Sequence, residues 1–293
     1  MDPQTAVVVL GLASAVAWGS ADFGGGYAGR RAPLFGVILF SQFAGCALAL
    51  AIAVIRGEPV PGPSELAIAA VAGVFGGIGI GTLYRGLATG RMGVVAPISG
   101  VLSAVVPVTA GILLQGLPGP AVLAGIGLAL VAVVLVSTAP GAADGGPGGA
   151  PIGRLGRVPT DAATAIVAGT ALGLLNLTIS RFPEGAVFGP LVLVRLVEAA
   201  VIGVAIVATR GAWHLPRAVW PLVILVGGLD MAGNGLFVLA AQAGRLDVAA
   251  VLSSLYPVTT LVLAAIVLKE RIVGIHALGV VAAVIAIVLV RIG

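Results

Sequence analysis

Three carboxylates and two guanidiniums, one of them Arg85 near a segment end, stand inside otherwise apolar stretches, and these are the groups with which the chain could do chemistry. Asp230 lies midway along Val219–Ala243, with Asn234 and Phe237 following it on one helical stripe. Arg195 and Glu198 sit three apart within Ala186–Ala208, and Asp22 closes Ala6–Phe23 on the face that carries Ser14 and Trp18. A charge in hydrocarbon is costly and persists where it is paired or used. Arg195 and Glu198 can neutralise each other as a structural ion pair. Asp230, near mid-membrane, suits a bound proton or a cationic substrate group and is the candidate coupling residue; pairing with Arg195 is its structural alternative.

Around these lie groups suited to recognition. Tyr84 and Arg85 come near the end of Leu66–Ala88, Asn176 and Ser180 form a polar edge late in Ala162–Ile179, and Ser99, Ser253 and Tyr256 interrupt two further apolar runs. Aromatics make up only 5% of residues, so Trp18 and Tyr256 on polar faces are candidates to stack on a substrate. Together Trp18, Asp22, Tyr84, Arg85, Ser99, Asn176, Asp230, Asn234, Ser253 and Tyr256 form the candidate substrate-binding set. His214, His276 and the single Cys46 stand apart from one another, so neither a metal centre nor a disulfide is expected. The Gly-x-Gly-x-Gly at 77–81 lies inside an apolar helix with no strand before it, which argues against a phosphate loop. No cofactor is expected.

The elements that must hold these groups follow from composition. Of 293 residues 59% are hydrophobic and 9% charged, with mean hydropathy +1.19; a soluble domain is charged at roughly a quarter of its positions. Crossing a bilayer takes about 20 apolar residues, and ten segments suffice: Ala6–Phe23, Leu34–Ile55, Leu66–Ala88, Val94–Leu114, Ala121–Thr138, Ala162–Ile179, Ala186–Ala208, Val219–Ala243, Val248–Leu268 and Val273–Val290. The fold class expected is therefore an all-α polytopic membrane protein with ten transmembrane helices, multi-pass in the cell membrane. The net charge of +4 is spread over short loops, which points to lipid head groups and not to nucleic acid.

Residues 139–161, rich in Gly and Pro, read as a flexible linker between a first five-helix repeat, 1–138, and a second, 162–293. An odd number of crossings per repeat makes the repeats inverted. Gly73, Gly79, Gly81, Gly90 and Arg91 match Gly227, Gly233, Gly235, Gly244 and Arg245 at one constant offset, and Pro107-Val108-Thr109 matches Pro257-Val258-Thr259 four residues out of step. Gly77 with Gly81, and Gly169 with Gly173, have the spacing that lets membrane helices approach closely. Pro97, Pro107 and Pro257 are expected to kink their helices.

Trp18-Gly19-Ser20-Ala21-Asp22-Phe23, Tyr84-Arg85-Gly86-Leu87-Ala88 before Gly90-Arg91, Val95-Ala96-Pro97-Ile98-Ser99, Tyr256-Pro257-Val258 and Lys269-Glu270-Arg271 stand in an order and spacing that resembles the EamA-type ten-helix transporters of the drug/metabolite transporter superfamily. The resemblance covers nearly the whole chain. It implies export or exchange of small polar metabolites, amino acids or drugs through a central cavity, with small-molecule substrate and membrane lipid as partners, protons as a candidate coupling ion, and a monomer or homodimer. Two features depart from it: Gln115-Gly116-Leu117 replaces the acidic residue expected after the fourth helix, and the first helix lacks the mid-membrane Glu that couples protons in small multidrug transporters.

The loops after the odd-numbered helices hold ten Lys/Arg, counting Arg85, against four on the other side. That tally alone places both termini outside; the resemblance, which we follow, implies both inside. Among functions, an exporter of amino acids or similar metabolites comes first, multidrug efflux second, and an intramembrane aspartyl enzyme using Asp22 and Asp230 is the reading from another class. With Met at only three positions and few aromatics, compact polar substrates fit better than a broad drug site.

Overall fold

A computed structural model describes residues 2–89, 92–137, 158–269 and 274–293; Gly90, Arg91, most of the 139–161 linker, Glu270 and Arg271 lie outside the described residues, as does the side chain of Tyr84. The described residues form eleven α-helices: α1 (Pro3–Gly29), α2 (Leu34–Arg56), α3 (Pro63–Thr89), α4 (Met92–Gln115), α5 (Pro120–Ser137), α6 (Val158–Ile179), α7 (Phe188–Thr209), α8 (Trp220–Ala243), α9 (Leu246–Ser253), α10 (Tyr256–Val267) and α11 (Gly274–Ile292). They make ten spans long and apolar enough to cross a membrane, with α9 and α10 sharing one. Side chains such as Val204 and Val207 point outward, 69% and 80% exposed. Such surfaces suit lipid and not water.

Local chemistry explains most boundaries. Asp2 caps α1 by accepting from the Thr5 N–H at 2.7 Å, with Pro3 in the first turn where its missing N–H costs nothing. The helix then runs through Gly24, Gly25 and Gly26 to Gly29, because Gly24 and Ala28 are buried and α1 lies along α8. Asp22 is thus inside α1, about two turns before its end, and not at its terminus as the apolar run suggests. α6 likewise begins at Val158, four residues before its apolar run. α2 ends on Gly57 in the left-handed region, φ 62°, whose N–H closes onto Ala53 and Val54 carbonyls.

The ninth span differs from expectation. It is broken at Ser254-Leu255, where Leu255 N–H bonds back three residues to Leu252 O and Pro257 has no N–H to offer. The matching Pro107, and Pro97, sit within the unbroken α4. Proline alone therefore does not decide the break. Surroundings do: every residue of α9 is buried, whereas none of α10 is.

Packing orders the spans. α1 lies along α8, α3 along α6 and α7, α2 against α7 and α8, α4 against α6 and α9, and α5 pairs with α11. Both chain ends share one end of the bundle, where the Gln4 amide donates to Arg291 O at 3.2 Å; we call it the terminal end. Glycines set the close approaches: side chains at Gly73 and Gly77 would strike Val197 and Val201 of α7, and at Gly169 and Gly173 would strike Ser99, Leu102 and Val106 of α4.

At the terminal end α7 has no cap of its own, and Glu58 from the loop after α2 supplies one. Its Oε2 accepts from the N–H groups of Phe188 and Gly189 at 2.7 and 2.9 Å, and Arg56 stands 3.3 Å from its other oxygen. A buried carboxylate at a helix N-terminus satisfies orphan donors and the helix dipole together. Glu58→Ala should lower stability by about 1–2 kcal/mol, read as a fall in the unfolding temperature in detergent; an unchanged transition would show that α7 does not depend on this cap.

Candidate functional site

The centre of the bundle is organised on Arg195, 2% exposed in α7. Its Nη1 donates to Gln42 Oε1 of α2 at 2.7 Å, to Glu198 Oε2 at 3.0 Å and to Asp230 Oδ2 of α8 at 2.6 Å. Its Nε and Nη2 are buried and have no hydrogen-bond partner. Room for this cluster comes from α2 and α3. A Cβ at Gly45 would stand 3.6 Å from Arg195 Nε, and one at Gly76 would collide with the Glu198 carboxylate. The side chains of Glu198 and Asp230 differ in access, 4% against 29% exposed. Asp230 is the most accessible member of the cluster.

A second group lies beside it. The Trp18 Nε1–H donates to Asn234 Oδ1 at 2.9 Å, one turn from the Ser14 hydroxyl, which donates to Gly233 O at 2.9 Å. The Trp18 ring lies 5.7 Å from Phe237 and meets Tyr256 edge-on at 6.5 Å. Tyr256 opens α10, directly after the helix break, and its hydroxyl lies close to Gly100 of α4. One turn along α1 from Trp18, Asp22 keeps an exposed surface. It lies within electrostatic range of Asp230 and Tyr256 and has neither a hydrogen bond nor an ion pair among the described residues.

Trp18, Asp22, Asp230, Asn234 and Tyr256 thus converge, while others stand apart. The Ser99 hydroxyl donates to Val95 O at 2.7 Å and its backbone packs on Gly169; the Ser253 hydroxyl donates to Gly11 O at 3.3 Å. Both are buried against neighbouring helices. Arg85 is exposed near the end of α3, away from the terminal end. Asn176 is half-buried one turn before Ser180, and Ser180 lines a cleft of about 100 Å³ at the terminal end with Gly111, Leu114, Gln115, Arg181, Ala241 and Leu246.

Sequence reasoning missed Gln42, Glu58 and Asp247. Gln42 is a polar residue in an apolar run, which was the available signal. Asp247, fully buried, takes both arms of Arg245 at 3.0 and 2.7 Å, and Arg245 also donates to Gly116 O at 2.6 Å. Gln115 Oε1 accepts from Leu246 N–H at 2.9 Å. The Gln115-Gly116 step thus holds the start of α9 through neutral acceptors. The bidentate partner holds the Arg245 guanidinium above its ordinary pKa, so it stays charged at every relevant pH.

Ten apolar spans with charges confined to a central cluster and to helix ends define a multi-pass integral membrane protein. The EamA-like transporter family model matches residues 5–138 and 162–292, and the chain belongs to that family of membrane transporters. One solved structure, described only as a crystal structure of a protein, shares the fold with a TM-score of 0.77 at 18% identity, covering 97% of this chain and 96% of that one. No curated protein matches the chain in sequence.

Removing Arg195 alone would leave two buried carboxylates facing each other. Arg195→Met should therefore cost about 3–5 kcal/mol, as broken buried pairs do, and adding Asp230→Asn and Glu198→Gln should recover most of it. Chemical denaturation in detergent reads both. Equal stability of the single and triple variants would show that the guanidinium does not neutralise these groups.

Proposed function

We propose that the chain is a secondary transporter that exports small polar metabolites, amino acids or similar, across the cell membrane by alternating access between two inverted five-helix repeats, 1–138 and 162–293. The family supplies the transport class. What carries the mechanism is the placement of Asp22 and Asn176. They are separated by the same offset that relates Gly73 to Gly227 and Gly79 to Gly233. Asp22 is exposed on α1, about two turns from the helix end opposite the termini, and Asn176 lies one turn before Ser180, which lines the terminal-end cleft.

Packing supports the same pairing of halves. Gly73 meets α7 where its counterpart Gly227 meets α2; Gly79 meets Leu172 of α6 where Gly233 meets Trp18 of α1. Exchanging each span with the one five places on turns the α1 contact with α8 into that of α6 with α3, and the α2 contact with α8 into that of α7 with α3. Two equivalent halves meeting at a midplane site can rock to expose it from either face. Trp18, Asn234, Phe237 and Tyr256 form one layer, with Phe237 fully buried. An intramembrane protease dyad would require Asp22 and Asp230 to share a proton; Asp230 instead accepts from Arg195 at 2.6 Å.

The test is flux. Proteoliposomes holding the purified protein should exchange labelled amino acids for internal substrate faster than empty vesicles, and a pH-sensitive dye reads whether protons move with them. Asp230→Asn should lower the initial rate at least tenfold. Wild-type vesicles no faster than empty ones across a panel of amino acids would refute the substrate class, and an unaltered rate in Asp230→Asn would remove that residue from the pathway.

A further inference from the structure

The charges of the central site do not balance. Asp230 lies within electrostatic range of both Asp22 and Glu198, and Arg195 is the cation that faces Asp230 and Glu198. Glu198 faces Arg195 and Asp230; Asp230 faces Arg195, Glu198 and Asp22; Asp22 faces Asp230 and the Tyr256 phenol. One guanidinium pairs with two of these three carboxylates, and an uncompensated charge in a low-dielectric interior calls for a counter-ion. Asp22, exposed and without a hydrogen bond or ion pair among the described residues, is where that counter-ion is lacking.

Hydrogen bonding points the same way. A guanidinium offers five N–H groups, two of them on each terminal nitrogen. Here three acceptors crowd Nη1 while Nε and Nη2 bond to nothing. Two hydrogens cannot serve three acceptors fully. Were Asp230 to leave, Gln42 and Glu198 would match the two Nη1 hydrogens one to one. Asp230 is also the partner with an accessible side chain. The cluster therefore holds Asp230 through a shared donor and can release it without stranding Arg195.

We propose that Asp22 and Asp230 together bind the protonated amine of the transported substrate, against the Tyr256 and Trp18 rings, and that Arg195 passes from Asp230 to Glu198 as the amine enters. This rests on the transport reading above and adds the chemical class of its substrate. Two carboxylates supply acceptors for an ammonium, and aromatic faces at its flank add cation–π attraction. A bare metal ion is poorly served, since the described residues hold no group of three or more His, Cys, Asp or Glu able to ligate one. A proton alone could neutralise Asp22 but would have no use for the rings.

Calorimetric titration of the purified full chain with phenethylammonium, phenylacetate and 2-phenylethanol tests the site, because the three probes share a ring and differ in charge. The ammonium should bind at least tenfold more tightly than either of the others. Asp22→Asn, which breaks no hydrogen bond and should keep the wild-type unfolding temperature, should weaken it at least tenfold. Glu198→Gln should also weaken it, since Arg195 then has only Asp230 as a carboxylate partner. Equal binding of the three probes, binding of none at millimolar concentration, or undiminished binding by Asp22→Asn would overturn the proposal, and the wild-type comparison stands even if a variant fails to fold. Ammonium binding without flux in proteoliposomes would sink the transport reading and leave the amine site; flux of phenylacetate would do the reverse.

Discussion

A guanidinium in hydrocarbon must carry its counter-charges with it, and that constraint shapes four of the spans. Arg195 draws Gln42 from α2, Glu198 from its own helix and Asp230 from α8, and α3 must present Gly76 where the Glu198 carboxylate lies. Lipid gives no hydrophobic reason for these helices to associate. A buried ion cluster gives a polar reason, since separating its members would leave charges unpaired in the bilayer. The partner that closes the cluster, Asp230, is also its most accessible member.

The rest of the bundle divides into firm and loose parts. At the terminal end, Glu58 caps α7 and the Arg245–Asp247 pair ties α9 to the end of α4, with α9 buried throughout. Beyond the helix break, α10 has no buried residue. The break therefore separates a fully buried half-helix from one held against α1, where the Thr260 hydroxyl donates to Gly19 O at 3.0 Å, and Tyr256 stands at the joint. A discontinuous helix beside a midplane site is a frequent construction in transporters because it leaves backbone groups and small movements available where substrate binds.

Much of this was legible in the chain. Apolar runs located all ten spans to within a few residues, because bilayer thickness leaves little choice of length, and the charged stretches named Asp22, Arg195, Glu198 and Asp230. What could not be read was tertiary. Gln42 is an isolated amide until α2 is laid on α7. Glu58 and Asp247 look like solvated loop charges, whereas Glu58 reaches a helix start 130 residues away. The triple glycine after Asp22 reads as a helix stop, yet α8 covers it and α1 continues. The two Pro-Val-Thr steps are identical in sequence, yet one lies within an intact helix and the other follows a break, so the step by itself does not foretell it.

The central claim is that one midplane site opens alternately to the two ends of the bundle. Gly26, one turn beyond Asp22, has open space where a side chain would project, and Ser180 lines the cleft at the terminal end. With Cys46→Ser removing the native thiol, Gly26→Cys and Ser180→Cys can each be labelled by a water-soluble maleimide, with and without a transported substrate. The account predicts reciprocal changes, one position labelling faster and the other slower when substrate is added. Both rates moving together, or neither responding to a substrate that is demonstrably transported, would contradict it.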